Sequence, residues 1–312
     1  MSASPPELAI RVAAFAWLSE QTGLLGDVLP WALLAKGFDY GDERVPLLAQ
    51  QGIFKPRVLR VPLSMRTASS DPYHDETGTD GVLRYAYRGT DPWHRDNVGL
   101  RTAMQERLPL VYFFGIAEGK YVAAWPVFIV GDDPAALRFT VALDDASRAS
   151  SGIAFSVADG AAAAVAPTDE AATARREYIT STFQRRLHQS AFRERVLSAY
   201  RSRCALCHLR HQELLDAAHI IPDNEPDGDP VVPNGLALCK LHHAAYDRNF
   251  LTVTPEYVIE VRPAILDEND GPMLLHGLKE MHGRTIHLPR QREMRPDRDR
   301  LDRRWKRFRE AS

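Results

Sequence analysis

The sequence predicts an α+β protein of two domains: an amino-terminal β-barrel with flanking helices, a helical linker, and a carboxy-terminal strand–strand–helix unit. Three observations predict it. Short strand-like runs separated by Gly, Pro and Asp turns fill residues 45–143. An Ala/Gly/Pro-rich stretch at 158–174 carries no aromatic and has little to bury. All three cysteines then fall between Cys204 and Cys239, beside the densest histidine cluster. A length of 312 residues favours two domains, with boundaries at 1–157, 158–174 for the linker, and 175–312.

The elements follow in order. Pro5-Pro6 precede an amphipathic helix in which Leu8, Val12, Phe15, Ala16 and Leu18 recur at helical spacing. Residues 24–34 are expected to add a further helical turn or two before Gly37 and Gly41 break the pattern. Residues 58–61, 83–87, 110–114, 121–130 and 137–143 read as strands, with one helix over 101–107 between them. Strands so numerous and so punctuated suggest a small barrel or half-barrel. From Glu170 a long helical pattern places Tyr178, Ile179, Phe183, Leu187, Phe192, Val196, Leu197 and Tyr200 on one stripe, with an arginine-rich opposite face. A strand over 214–221, a Pro/Asp/Gly-rich loop at 222–233, a return strand over 236–239 and a helix over 240–247 come next. The chain then returns to β at 250–253 and 257–261, forms a short helix over 273–281, and offers an edge strand at 286–289. The alternating Asp and Arg of 296–308 predict a self-paired helix docked by Trp305 and Phe308.

Cys204-x-x-Cys207 has the spacing of a zinc knuckle, and Cys239-x-x-His242 supplies a second pair of ligands at the same spacing. Four soft or borderline donors suit a tetrahedral structural zinc. A disulfide is the weaker alternative, because it would strand the third thiol. With the cysteines assigned to zinc, nothing implies an oxidising compartment, and the expected location is the cytoplasm.

Two blocks carry a resemblance. Ala217-Ala218-His219-Ile220-Ile221-Pro222 and Asn234-Gly235-Leu236-Ala237-Leu238-Cys239, with the knuckle around them, resemble the HNH (ββα-metal) endonucleases over residues 200–261. The resemblance implies a DNA phosphodiester hydrolase whose catalytic residues are His219, Asn234 and His243. DNA hydrolysis needs a general base to activate water, and neutral histidine supplies one near pH 7. It also needs a divalent cation at the scissile phosphate. His219 is the expected base, His243 a ligand of a catalytic Mg²⁺ or Mn²⁺, and Asn234 the residue that fixes the loop and orients the base. One departure concerns Ala218, which stands where many members carry a further metal ligand. Asp216 on the same strand could substitute for it. So could Asp247, which shares a helix face with His243 at i+4, although Asp247 fits a capping or loop role equally well.

Residues 51–56, 61–67 and 81–91 resemble the SRA-like, PUA-superfamily reader domain of modification-dependent restriction nucleases, over most of 40–145. That resemblance implies a barrel that holds a flipped, modified base. Such a site needs aromatic faces and polar edge-readers. Tyr73 and Trp93, in polar loop-like sequence, are the best placed, with Tyr40, Arg66, Arg84 and Arg88. Along one strand Arg84 shares a face with Arg88, and Tyr85 shares the other with Tyr87, so only one pair can face a cavity.

The formal net charge of -2 gives no global attraction for DNA, so positive charge must be concentrated locally, as it is in the arginine-rich carboxy-terminal half. No apolar run reaches the length of a membrane span, and no phosphate-cradling glycine motif implies a nucleotide cofactor. The expected activity is restriction of double-stranded DNA carrying a modified base, with 5-methylcytosine or 5-hydroxymethylcytosine favoured, by a homodimer. The alternatives are an HNH nuclease reading unmodified sequence, phosphorothioate DNA or RNA, and a zinc-stabilised nucleic-acid-binding module without catalysis.

Overall fold

The computed structural model describes residues 5–67, 83–143 and 170–311. The chain divides into two compact units, Met1–Ser190 and Ala191–Ser312. No helix among the described residues is long and apolar enough to cross a membrane.

The first unit opens with helix α1 (Pro5–Leu25), strand β1 (Val28–Pro30) and helix α2 (Trp31–Lys36). Residues 24–34 are therefore not a second helix. Leu24 and Leu25 are exposed at the end of α1, and the backbone that follows pairs with a distant strand. A short hairpin, β2 (Phe38–Tyr40) and β3 (Glu43–Val45), turns at Gly41. Then come β4 (Ile53–Phe54), β5 (Ser64–Arg66), β6 (Leu83–Ala86), helix α3 (Arg95–Gln105), β7 (Leu110–Ala117), β8 (Lys120–Asp133) and β9 (Arg138–Leu143). The strand expected at 58–61 is irregular; the pairing falls at β5 instead. The interrupting helix starts earlier than expected, capped by the His94 side chain, which accepts from the Asp96 N–H.

The strands form one sheet in the order β4-β5-β7-β8-β9-β6, with β1 added to the start of β8. Only β5 and β7 run parallel; the other pairs are antiparallel. The sheet curls into a half-barrel, and Tyr85 Oη on edge strand β6 reaches the Arg66 carbonyl of β5 at 3.4 Å. Strand parity sorts the core. Val111 and Phe113 of β7 pack with Ile10, Phe15 and Leu18 of α1, while Tyr112 and Phe114 face the other way. There Tyr85 packs edge-on against Tyr112 (5.6 Å between centroids) and Tyr112 stacks on Phe114 (4.1 Å). Phe183, on helix α4 (Glu170–Ala199), closes the row at 5.1 Å from Phe114. Arg11 of α1 is fully buried. It pairs with Glu7 (3.1 Å) and donates to the carbonyls of Pro109 (3.0 Å) and Val61 (3.4 Å), which pins the helix to the sheet.

The second unit takes in the end of α4. It continues with β10 (Leu215–His219), β11 (Gly235–Cys239), α5 (Lys240–Asp247), β12 (Leu251–Val253) and β13 (Ile259–Val261), then α6 (Pro263–Asp267), α7 (Pro272–Gly277) and α8 (Arg298–Glu310). Strands β10 and β11 pair antiparallel from Leu215↔Cys239 to His219↔Gly235, and β12 pairs with β13. The segment expected as an edge strand at 286–289 contributes backbone bonds but no regular strand. Phe192 and Val196 of α4, with Tyr200 just past its end, share one core with both hairpins. Gly235 permits that packing: a Cβ there would stand 2.4 Å from Val196 Cγ2. Leu301 and Phe308 dock α8, and the Trp305 indole N–H donates to Glu260 at 2.6 Å.

Candidate functional site

Strand β11 runs directly into α5 with Cys239 as the N-cap residue, so Cys239 and His242 occupy the corner between them. The knuckle turn brings Cys204 and Cys207 to the same corner: Cys204 N–H donates to the Leu209 carbonyl, and His208 N–H returns to Cys204 O at 3.0 Å. The four ligand atoms lie within 4.8 Å of one another. Cys207 Sγ stands 3.9 Å from Cys239 Sγ, far beyond a disulfide bond of about 2.05 Å and close to the spacing of two thiolates on one tetrahedral zinc. His242 Nδ1 stands 3.4 Å from Cys204 Sγ and 3.2 Å from Cys239 Sγ. Its other nitrogen, Nε2, donates to the Gly277 carbonyl at 2.7 Å, which fixes the tautomer that leaves Nδ1 for a metal. Burial opposes charging of His242, yet the two neighbouring sulfurs push its pKa up to about 10. A bound cation would take the place of that proton. These four residues could hold a metal ion.

A second group lies along the same hairpin. His219 ends β10, half-buried, its ring stacked on Phe192 at 4.1 Å and 20°. Its Nε2 is buried and has no protein partner. Burial lowers its pKa below the ordinary value and His243 lowers it further, with Asp223 and Asp247 acting in the opposite sense. His243 of α5 sits between two carboxylates: Nδ1 is 3.6 Å from Asp216 Oδ2, and Nε2 is 3.4 Å from Asp247 Oδ2. The Asp216 contact, outweighing burial, raises its pKa. Asp216 is itself half-buried, which disfavours its charge. His243, Lys240 Nζ at 3.0 Å and its own strand's N–H outweigh that and hold it well below the usual carboxylate range. Arg193 Nε adds a contact at 3.6 Å. Ala218 is fully buried and offers no ligand, while Asp216, two residues earlier on the same strand face, presents a carboxylate to His243.

Asn234 does not touch His219; it closes the loop that follows. Its fully buried side chain accepts from the Ile221 N–H (2.9 Å) and donates to the carbonyls of Ile221 (2.9 Å) and Asp229 (3.1 Å). Helix α8 holds the same loop from outside. Arg300 pairs with Asp229 (3.8 Å), Arg303 with Asp227 (2.7 Å) and Arg307 with Glu225 (2.8 Å). Arg195 of α4 donates to the Pro230 carbonyl at 2.8 Å. Sequence reasoning missed Asp223 and these four arginines; the only available signal was the i, i+3, i+7 spacing of 300, 303 and 307 on one helix face.

The residues expected to read a base are less gathered. Tyr73 lies outside the described residues, as do most of the 158–174 linker and the 81–82 end of the 81–91 block. Trp93 is exposed, at 77%, with the Arg101 guanidinium 5.4 Å from its ring centre. Tyr40 is exposed at the β2–β3 turn, and Arg84 is half-buried on the strand face opposite Tyr85. Arg66 donates to the Gln50 carbonyl (2.6 Å) and lies over the Trp31 ring, and Arg88 pairs with Asp96. Tyr85 and Tyr87 are the buried pair of β6 and the residue after it. A separate cavity of about 410 Å³ is lined by Trp125, Tyr178, Phe183 and Arg186, and by none of the expected readers.

Fold and donor geometry together define a ββα unit with a knuckle at its corner that could hold a metal. Residues 204–254 match the family described as HNH endonuclease. The second unit thus carries an HNH endonuclease domain, and the protein is a nuclease. Comparison with curated proteins returns no match. Among solved structures the chain is similar to a protein titled "Modification dependent TagI restriction endonuclease", with 14% identity over 79% of this chain and 81% of that one, at a TM-score of 0.28.

Proposed function

We propose that the protein hydrolyses DNA phosphodiester bonds at His219 and His243, and that its first unit directs it to DNA carrying a modified base. The observation that carries the reading is the pair of histidines on one hairpin with opposite electrostatic settings. His219 is kept neutral by burial, and Asp216 favours positive charge at His243, which a bound cation would supply in place of a proton. A neutral imidazole at the end of β10, with an unpartnered nitrogen, is competent to take a proton from water. Asn234 positions it by closing the loop at Ile221, one residue past the backbone N–H of Ile220 that bonds to Asn234 O.

The donor set fits two metals. Cys204, Cys207, Cys239 and His242 would hold a structural Zn²⁺. His243 Nε2 and the exposed Asp247 carboxylate place a nitrogen and an oxygen donor side by side on one helix face, fit for a divalent ion that keeps its other positions for water and phosphate. Asp216, committed to Lys240 and His243, orients the imidazole. Such an ion, Mg²⁺ or Mn²⁺, would stabilise charge on the leaving oxygen.

Exposed Trp93 and Tyr40, with Arg84, support a base-reading role for the first unit. Cutting both strands calls for two active sites, hence a homodimer. Matched plasmids test the reading: unmodified, or carrying 5-methylcytosine, 5-hydroxymethylcytosine, N6-methyladenine or phosphorothioate linkages. Cleavage confined to one modified-base plasmid is expected. Equal cleavage of all would remove the reader role, and cleavage of the phosphorothioate plasmid alone would move it to the backbone.

A further inference from the structure

The arginines of the second unit differ in their partners. Those facing the loop at 222–233 are neutralised by Asp229, Asp227 and Glu225. Arg201, Arg203 and Arg210 have no acidic partner among the described residues, and all three border the zinc-knuckle turn. Two histidines join them. His287 N–H donates to the Ala205 carbonyl inside the knuckle at 2.7 Å, and its ring centre lies 5.4 Å from that of His208. Burial lowers the His287 pKa, and His208, Arg203 and Arg201 lower it further, with no carboxylate acting in the opposite sense.

The display is rigid. Arg201, Ser202 and His208 hold left-handed backbone, with φ of 55, 49 and 64°. Side-chain-bearing residues adopt that region only where their surroundings enforce it. Here Ser202 N–H donates to Leu197 O (2.7 Å), Arg201 N–H to Ser198 O (3.0 Å) and His208 N–H to Cys204 O (3.0 Å).

We propose that this knuckle face, formed by Arg201, Arg203, His208, Arg210 and His287, is the surface with which the unit grips the phosphate backbone of double-stranded DNA. The inference rests on the reading of the unit as a DNA nuclease. A chain of net charge -2 needs its positive charge concentrated locally, and this face gathers three arginines within residues 201–210. Guanidinium forks fit phosphate oxygens, and contacts of this kind position a protein on the duplex without reading sequence.

Salt dependence of binding tests it. A labelled duplex is titrated by fluorescence anisotropy across a salt series, in a His219→Ala background that blocks cutting. The parent is compared with Arg201→Gln/Arg203→Gln/Arg210→Gln and with His208→Asn/His287→Gln, each checked for bound zinc. Each lost phosphate contact lowers the slope of log K against log salt by roughly 0.9, so the triple variant should lose about two to three units of slope and at least about tenfold in affinity. Lys306→Gln/Arg309→Gln, which removes two charges from α8, should keep the parent slope. An unchanged slope in the zinc-loaded triple variant would overturn the assignment, as would an equal loss in the α8 variant or a parent that shows no salt-dependent DNA binding. A duplex RNA bound more tightly through the same residues would also overturn it. Cleavage by the unmutated chain reports separately on the nuclease reading, so a chain that cuts DNA with its slope unaltered refutes this surface alone.

Discussion

His219 stacks on Phe192 at 4.1 Å, and that half-buried position makes its cationic form unfavourable. The folded pKa lies below the ordinary 6.5, so the imidazole proposed as the base is neutral above that value and is protonated only as pH falls through the depressed one. The acid limb of kcat/KM should therefore fall at a pH below 6.5, and Phe192→Ala, by admitting water to the ring, should move it upward. An acid limb at or above 6.5 in the parent would contradict this account of the site. Arg11 presents the opposite problem, a cation buried with one carboxylate and two carbonyls. Arg11→Met leaves Glu7 charged and buried, with Arg60 at 3.9 Å as its remaining partner. A loss of about 3 kcal/mol from the first unit is expected in urea unfolding, and a smaller loss for Glu7→Leu/Arg11→Met, in which no stranded charge remains. Neither residue's role was legible in the sequence: α1 reads as amphipathic, and Arg11 meets Pro109 and Val61, 98 and 50 residues away.

The loop between β10 and β11 shows which features local spacing reveals. Its ends were legible, because His219 and Asn234 sit in short blocks that resemble those of HNH endonucleases. Its fastening was not, because the arginines of α8 lie 71 to 82 positions downstream of the acids they hold, and an Asp/Arg-alternating segment reads as pairing with itself. Within the loop, Gly228 packs against the chain's own backbone, where a Cβ would fall 2.0 Å from the Pro222 carbonyl. Gly228→Ala should therefore displace the segment that follows His219 and lower kcat by about a hundredfold, with KM little changed. An unaltered kcat would show that loop position is not limiting. Among the β elements, the long buried runs of β7 and β8 were legible from composition. The three-residue β1 was not, since pairing with β8 overrides a local preference that reads as helix. Parity separated the arginines from the tyrosines of β6, but which face was buried depended on Tyr112 and Phe114, from a distant strand.

Each of the two units has its own core, and among the described residues the cluster that could hold a metal lies in the second. Chelation at neutral pH should lower the thermal stability of the second unit and leave the first unit's transition in place. Cys239→Ser should reproduce that loss and bind less than one zinc per chain, as read by calorimetry and metal analysis. Coincident loss of both transitions would contradict the assignment. The cluster that could hold a metal was legible because two x-x pairs fix four donors at once, whereas the expected base-reading residues lie on distant loops whose convergence spacing does not encode. The central claim is that His219 is the base of a metal-dependent DNA nuclease. The measurement that tests it most directly is plasmid cleavage with Mg²⁺ or Mn²⁺ by the parent and by His219→Ala, at equal zinc content and equal DNA affinity. The account predicts cutting by the parent and a loss of at least about a hundredfold in the variant. Equal cutting by both, or none by a parent that still binds DNA, would contradict it.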